Sequence, residues 1–356
     1  MTRADIPAVS GLFARIFRGR SDGATAELED YLDKVFFGSP LYTPETGSVV
    51  YESAEGEVAS TILVVPMAFR AGERELVARL LCAFMADGKD SAAGAARLAR
   101  QMRAARQDMC FSDNSSPVSA SHWVAGGGAI LPIQSLQWRR SFRPAAAAAI
   151  GCGRVLRCLR SRPVLALARP VDALLRRWRR SLTPVAPQGC RVEPATPDAF
   201  LACAGPMTER FHVRPVWSKP EFDWLLSVAR LNRRLGELHI RTVHGPDARV
   251  IGAYLYFGRR GREATVLNLV CEAGREQEVS GAMFSALDAE GYAAAVGMAQ
   301  PFLMTALFRQ RWMTYRHEGH FCMVTRHAEI GAAVARDDIY IGGLASESWS
   351  RLLNDF

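Results

Sequence analysis

Three absences bound this 356-residue chain before any motif is sought. No run of about 20 apolar residues is free of charge, so nothing in it reads as a membrane span. The opening MTRADIPAVSGLFARIF has neither the long apolar core nor the small-residue cleavage site of a secretory signal. No CxxC occurs. The cysteines, Cys82, Cys110, Cys152, Cys158, Cys190, Cys203, Cys271 and Cys322, are scattered and have no histidine at ligand spacing. That argues against a zinc site and a disulfide framework, and fits reduced thiols in a cytoplasmic protein. What is abundant is apolar: 49% of residues are hydrophobic and 22% charged, the balance of a globular chain long enough for two domains.

Acid is nearly missing from one stretch. Between Arg139 and Arg180 stand twelve arginines and a single acid, Asp172, so the rest of a chain with net charge +8 is mildly acidic. Positive charge confined to a connector, with almost no interleaved aromatics, speaks against nucleic acid as a partner. The stretch reads as a solvated linker, or as a surface for an acyl carrier protein or an anionic membrane surface. Pro163 and Pro170 break any single helix there. Leu174, Leu175 and Trp178 among Arg176, Arg177, Arg179 and Arg180 make an amphipathic basic helix, and SLTPVAPQG after it reads as a linker.

Before the connector the pattern predicts two helices, the first with Val9, Leu12, Phe13 and Ile16 on its apolar face, the second over ELEDYLDKVF. Strands follow at 48–53, 58–69 and 75–85, with turns at Gly56 and Gly72. Next come a small-residue turn from Asp87 to Gly94, a helix, a short strand at 109–112 and a helix over 118–125. Ile130 to Phe142 reads as a last pair of strands or one long bent one. A strand feeding a glycine-containing turn at a helix N-terminus is either an ordinary connection or a phosphate site, since unpaired N–H groups and the helix dipole favour an anion there. After Cys190 the pattern begins again: Phe69, Gly72 and Gly94 recur as Phe257, Gly261 and Gly281, an offset of about 188 set by the repeat.

This order of elements, twice over, resembles the Gcn5-related N-acetyltransferase (GNAT) family, and the chain looks like a tandem GNAT protein. The resemblance implies an α/β (α+β) fold of two GNAT-like domains, each a mixed, mostly antiparallel sheet flanked by helices. The expected boundaries are 1–143 for the N-terminal domain, 144–188 for an Arg-rich helical linker and 189–356 for the C-terminal domain. The strand a GNAT domain has before its first helix is missing or very short in the first copy. The family's pyrophosphate turn, Gln/Arg-x-x-Gly-x-Gly/Ala, corresponds to Ser91, Ala92, Ala93, Gly94, Ala95 and Ala96, with Ser91 in place of the Gln or Arg. Phe84 and Met85 fall where family members hold the pantetheine arm and thioester carbonyl with strand amides. The implied cofactor is acetyl-CoA or another acyl-CoA, and the implied reaction is acyl transfer to a small amine-bearing acceptor. An acyl carrier protein or an aminoacyl-tRNA as donor, or a non-catalytic binding module, are the alternatives.

In the second copy Glu276 and Glu278 stand at the corresponding turn and would repel phosphate, so that copy reads as degenerate. Asn268, Tyr254, Tyr256 and Tyr315 face its pocket or simply pack. The family's tyrosine acid has Trp123 at its position in the first copy, on a segment opened by Asn114, and Phe308 in the second. Neither residue can give up a proton as that tyrosine does. His122 is the substitute, and Asp108 and Asp113, flanking the short strand, are candidate proton acceptors, with Glu52 a weaker one.

Overall fold

A computed structural model describes residues 1–19, 25–87, 91–152, 162–353 and 355–356. Helix α1 (Ile6–Arg18) buries Val9, Leu12 and Phe13, and α2 (Ala26–Phe36) buries Leu28, Tyr31, Leu32 and Val35, as their apolar spacing predicts. The Thr25 hydroxyl caps α2 by accepting the Leu28 N–H. Strands β1 (Val49–Glu52), β2 (Val58–Ala71) and β3 (Arg74–Ala86) form an antiparallel meander. Gly72 turns the second hairpin with φ 57°, a left-handed conformation that suits glycine. Then follow α3 (Ser91–Gln101), β4 (Cys110–Ser115), α4 (Pro117–Ala125) and the two-residue β5 (Ala129–Ile130).

After β5 the chain changes sheet. Strand β6 (Leu136–Ser141) is followed by α5 (Pro144–Cys152), α6 (Arg162–Trp178), β7 (Arg191–Pro194), α7 (Pro197–Thr208), β8 (Val213–Pro215) and α8 (Lys219–Ala229). The repeat then runs through β9 (Glu237–His244), β10 (Val250–Gly258), β11 (Glu263–Cys271), α9 (Glu276–Ala289), β12 (Ala294–Met298), α10 (Met304–Phe308), β13 (Met313–His317), β14 (His320–Val324) and α11 (Ala328–Ala335). Gly261, at the turn equivalent to Gly72, also has positive φ (77°), so the repeat holds at the level of backbone conformation. Strand β7 precedes α7 in the second copy, and the first has no counterpart before α1 among the described residues.

The two seven-stranded sheets are ordered β1-β2-β3-β4-β14-β5, with β8 on β2, and β13-β6-β12-β11-β10-β9-β7. The second copy thus gives β8 and β14 to the first sheet, and the first copy gives β6 to the second. The first compact unit is Met1–Ser135, Phe211–Asn232 and Gly319–Phe356, and the second is Leu136–Arg210 and Arg233–Glu318. These discontinuous units do not coincide with the consecutive blocks 1–143, 144–188 and 189–356. The physical reason is pairing: β6 hydrogen-bonds along β12 and β13, whereas β14 hydrogen-bonds along β4 and β5.

The Arg-rich connector is folded into the second unit, apart from residues 153–161, which lie outside the described residues. Helix α6 continues through Pro170, contrary to expectation, and Pro163 sits in its first turn, where no intrahelical N–H is needed. Asp172, buried, accepts the N–H groups of Ala145 and Ala146 at 2.7 and 3.0 Å, satisfying the start of α5. Ala146, Ala147 and Ile150 of α5 pack with Ala168 of α6 against Ala293 and Ala294. Several arginines are structural: Arg176 and Arg143 pair with Asp288, and Arg139 pairs with Glu263. Buried Arg140 donates to the carbonyls of Ser141, Ser181 and Leu182. Around Trp178, Arg177, Arg179 and Arg180 remain exposed.

The segment after β14, which falls within the expected 189–356 block, packs in the first unit. Trp349 is fully buried with its indole N–H on the Leu344 carbonyl, and Asn232 donates to the Trp349 carbonyl at 3.1 Å. The Tyr31 hydroxyl accepts the Arg351 N–H at 2.9 Å.

Candidate active site

The site begins with a fault in a ladder. Parallel strands β3 and β4 pair only at Arg79–Cys110 and Leu80–Phe111. Immediately beyond, the β2–β3 register shifts: Val64 faces Leu81 and Leu63 faces Ala83, so Cys82 is an extra residue on β3. A bulge re-aims the strand that carries it, and here it leaves the C-terminal ends of β3 and β4 apart. A cavity of about 480 Å³ occupies the gap, within the range of small-molecule sites. Leu81 to Phe84 of β3 and Ser112, Asn114 and Ser115 of β4 form two walls. Ala99 and Met102 of α3, His122 and Trp123 of α4, and Phe13 and Phe17 of α1 add others. Leu352, Leu353 and Glu347 close it from the C-terminal segment.

The expected cofactor residues divide. Phe84 lines the cavity, whereas Met85 is buried and takes no part in its lining. Residues 88–90 of the small-residue turn lie outside the described residues. Helix α3 starts at Ser91, so the amides without intrahelical partners are those up to Ala93. Gly94, Ala95 and Ala96 are a turn further in, inside the helix and not in a loop. Gly94 serves close packing: a Cβ there would meet Ser60 Oγ and Tyr51 Cδ1 at 2.5 Å each.

The proton-transfer candidates divide too. His122 is exposed and lines the cavity beside Trp123, which also packs on the core cluster under α3. Asp113 stands behind the cavity, its two oxygens accepting the Glu347 N–H at 3.1 Å each. Burial raises its carboxyl pKa, opposed by those hydrogen bonds. Asp108 lies before the other end of β4. It pairs with Arg326 at 2.7 Å and His327 at 2.8 Å, away from the cavity lining. Burial works against ionising Asp108, but the His327 and Arg326 hydrogen bonds prevail and its pKa is lowered. Glu52 is exposed on β1 and does not line the cavity.

No protein-family model matches the sequence, and no curated protein does. Solved structures do match in three dimensions. One is a GCN5-related N-acetyltransferase from Anabaena variabilis ATCC 29413, with TM-score 0.55 and 10% identity over 92% of this chain and 72% of that one. Another is a conserved protein from Enterococcus faecalis V583 described as a probable N-acyltransferase, with TM-score 0.54 and 9% identity over 92% and 72%. A GCN5-related N-acetyltransferase from Kribbella flavida gives TM-score 0.50 and 13% identity over 91% and 69%. The fold is that of the GCN5-related N-acetyltransferases. At such identities the likeness is one of architecture.

Within this acetyltransferase fold, sequence reasoning missed Glu347 and Cys82. Glu347 is 1% exposed, and neither of its oxygens has a hydrogen-bond partner among the described residues. Burial and the neighbouring Asp113 carboxylate push its carboxyl well above the usual range. Burial, Glu347 and Asp113 do the same to the Cys82 thiol, which is therefore no thiolate nucleophile. The available signal was that Glu347 is the single acid between Asp338 and Asp355, in a stretch (339–350) otherwise made of apolar and small residues.

The second sheet repeats the geometry without the same lining. Strands β11 and β12 pair as far as Val266–Gly297, and β11 then bulges at Leu267. The Trp138 ring of β6 stands against Gly297, with its indole N–H on the Met298 carbonyl. At the start of α9 the Glu276 carboxylate accepts the Gly274 N–H and pairs with Arg210, and Glu278 pairs with Arg275. Those carboxylates already occupy the dipole's positive end. Asn268, Tyr254 and Tyr256 are buried, Tyr256 donating to Glu290 at 2.6 Å, while Tyr315 is half-buried and Phe308 exposed.

Proposed function

We propose that the first unit is an acyltransferase that takes an acyl group from acyl-CoA and passes it to a small amine. The observation that carries this reading is the parting of β3 and β4 after two residue pairs, with a cavity in the gap. Strand edges that part leave backbone N–H and C=O groups without ladder partners, and an amide-rich pantetheine arm matches them. The α3 N-terminus, with small residues through Ala93, suits the pyrophosphate. The bound donor would supply an activated thioester. As the amine forms its C–N bond, the C–S bond breaks, one proton leaves nitrogen and sulfur takes one up. His122 is the titratable side chain of α4 among the residues lining the cavity, and it is exposed enough to exchange protons with solvent.

The test is a thermal-shift series with acetyl-CoA and longer acyl-CoAs. Binding raises the melting temperature, and Ala93→Glu removes the rise while leaving the unliganded melting temperature nearly unchanged. Ala93 is exposed in the first turn of α3, where a carboxylate favours the helix but repels phosphate. Gly94→Glu is a poorer probe because it collides with Tyr51 and Ser60. Absence of a shift with every acyl-CoA would refute the proposal.

A further inference from the structure

Glu347 is a polar group of this cavity to which the described residues supply no hydrogen-bond counterpart. Glu347 is among the residues lining the cavity and is 1% exposed, and neither oxygen is hydrogen-bonded among the described residues. A buried carboxyl without a partner is strongly unfavourable when charged. Its neighbours make matters worse: Asp113 of β4 lies behind it, and the Cys82 thiol of β3 shares the cavity wall. The Tyr31 hydroxyl of α2 is engaged with Ser350 and the Arg351 N–H. Arg18 of α1 also lines the cavity, and its guanidinium donates to the carbonyls of Phe17 and Leu352. His122 of α4 lines it too. Asp113, by accepting the Glu347 N–H with both oxygens, fixes the backbone that aims the side chain. The same wall carries Phe13, Phe17, Leu352 and Leu353.

A partner for Glu347 must therefore arrive with a ligand, and must donate hydrogen bonds from a positive or proton-rich nitrogen on an apolar body. We propose that Glu347 binds the nitrogen of the acyl acceptor, which is a primary amine carried on an apolar, aryl- or alkyl-sized group. This rests on the acyltransferase reading for the word acceptor, but the site itself does not. Glu347 enters such a complex as a carboxylate facing an ammonium, so binding releases a proton wherever the pH is low enough to protonate the free carboxyl, whose pKa burial raises.

The test is isothermal titration of the full chain with phenethylamine, and with phenethyl alcohol as the uncharged analogue, in phosphate and in HEPES. The amine binds at least tenfold more tightly than the alcohol, and the buffer difference reports release of up to one proton. Glu347→Gln weakens amine binding at least tenfold and leaves the acetyl-CoA thermal shift intact. Because the proton count is read on the unaltered protein, it stands even should the variant misfold. Amine binding without proton release at both neutral and mildly acidic pH, binding unchanged in Glu347→Gln, or no amine binding by a protein that responds to acetyl-CoA, each overturns the proposal. Glu347-dependent amine binding with no response to any acyl-CoA sustains the site and refutes the acyltransferase reading instead.

Discussion

Replacing Asp172 by alanine asks whether the Arg-rich stretch is a linker or part of a fold. The carboxylate is buried and takes two backbone N–H groups, from Ala145 at 2.7 Å and Ala146 at 3.0 Å, both at the first turn of α5. Removing it strands two donors. A buried donor left unsatisfied costs about 1–3 kcal/mol, and the lost interaction with the helix dipole adds about 0.3–1 kcal/mol. Water reaching the α5 start would recover part of this, so the expected loss is about 2–4 kcal/mol. That is a large share of the roughly 5–15 kcal/mol available to a domain. Urea titration followed by far-UV circular dichroism reads it as a lower midpoint at unchanged slope. Asp172→Asn keeps one acceptor and falls between the wild type and Asp172→Ala. A midpoint for Asp172→Ala equivalent to less than about 0.5 kcal/mol, the range of ordinary surface substitutions, would refute the folded helix pair.

The buried Glu221 carboxyl, with one oxygen on the Ala68 N–H and no hydrogen-bond partner for the other among the described residues, is raised to about 7 by burial. Its folded pKa exceeds its unfolded value, so its contribution is fully present below about pH 4.5 and is lost as pH rises through 7. Glu221→Gln is expected to remove that slope and to stabilise the protein by about 3 kcal/mol above pH 7, as urea midpoints from pH 4.5 to 8 would show. On α6, Leu167, Val171, Leu174 and Trp178 form an exposed apolar stripe beside Arg177 and Arg179. The chain is therefore expected to co-sediment with phosphatidylglycerol vesicles at low salt, to be released at high salt, and to lose binding in Trp178→Glu. Equal sedimentation of that variant would disprove it.

The meander and its flanking helices were legible in the sequence because each announces its own period and stops at a turn residue. Val58–Ala71 and Arg74–Ala86 meet at Gly72, and the spacing of Val9, Leu12 and Phe13 specifies one buried face. The exchange of β6 and β14 was not. An alternating pattern such as Leu136–Ser141 says which side chains are buried, not which strand lies alongside. For the same reason Asp108 and Asp113 looked alike, as acids at the two ends of one short strand. What separates them is distant in the chain: Arg326 and His327 for one, the Glu347 backbone for the other. The opening of the site depends on a one-residue bulge at Cys82, and a bulge leaves no mark on hydrophobic periodicity. Glu347 stands out in the sequence as a lone acid, but its burial is something residue type alone would not suggest.

The strand exchange also orders events on the ribosome. A nascent chain that has emerged as far as residue 300 contains β1 to β4 but not β14, so the outer edge of β4 presents unpaired backbone. Glu347 and the residues that close the cavity are translated later still. At about 5–20 residues per second, the first-made half spends on the order of ten seconds or more without its last strand. Such an exposed edge is a natural client for a chaperone, and truncation before residue 320 should yield an aggregating fragment instead of a smaller folded protein. By making strands β1 to β4 wait for residues beyond 320, the topology lets the cavity between β3 and β4 close only once that later segment has been translated.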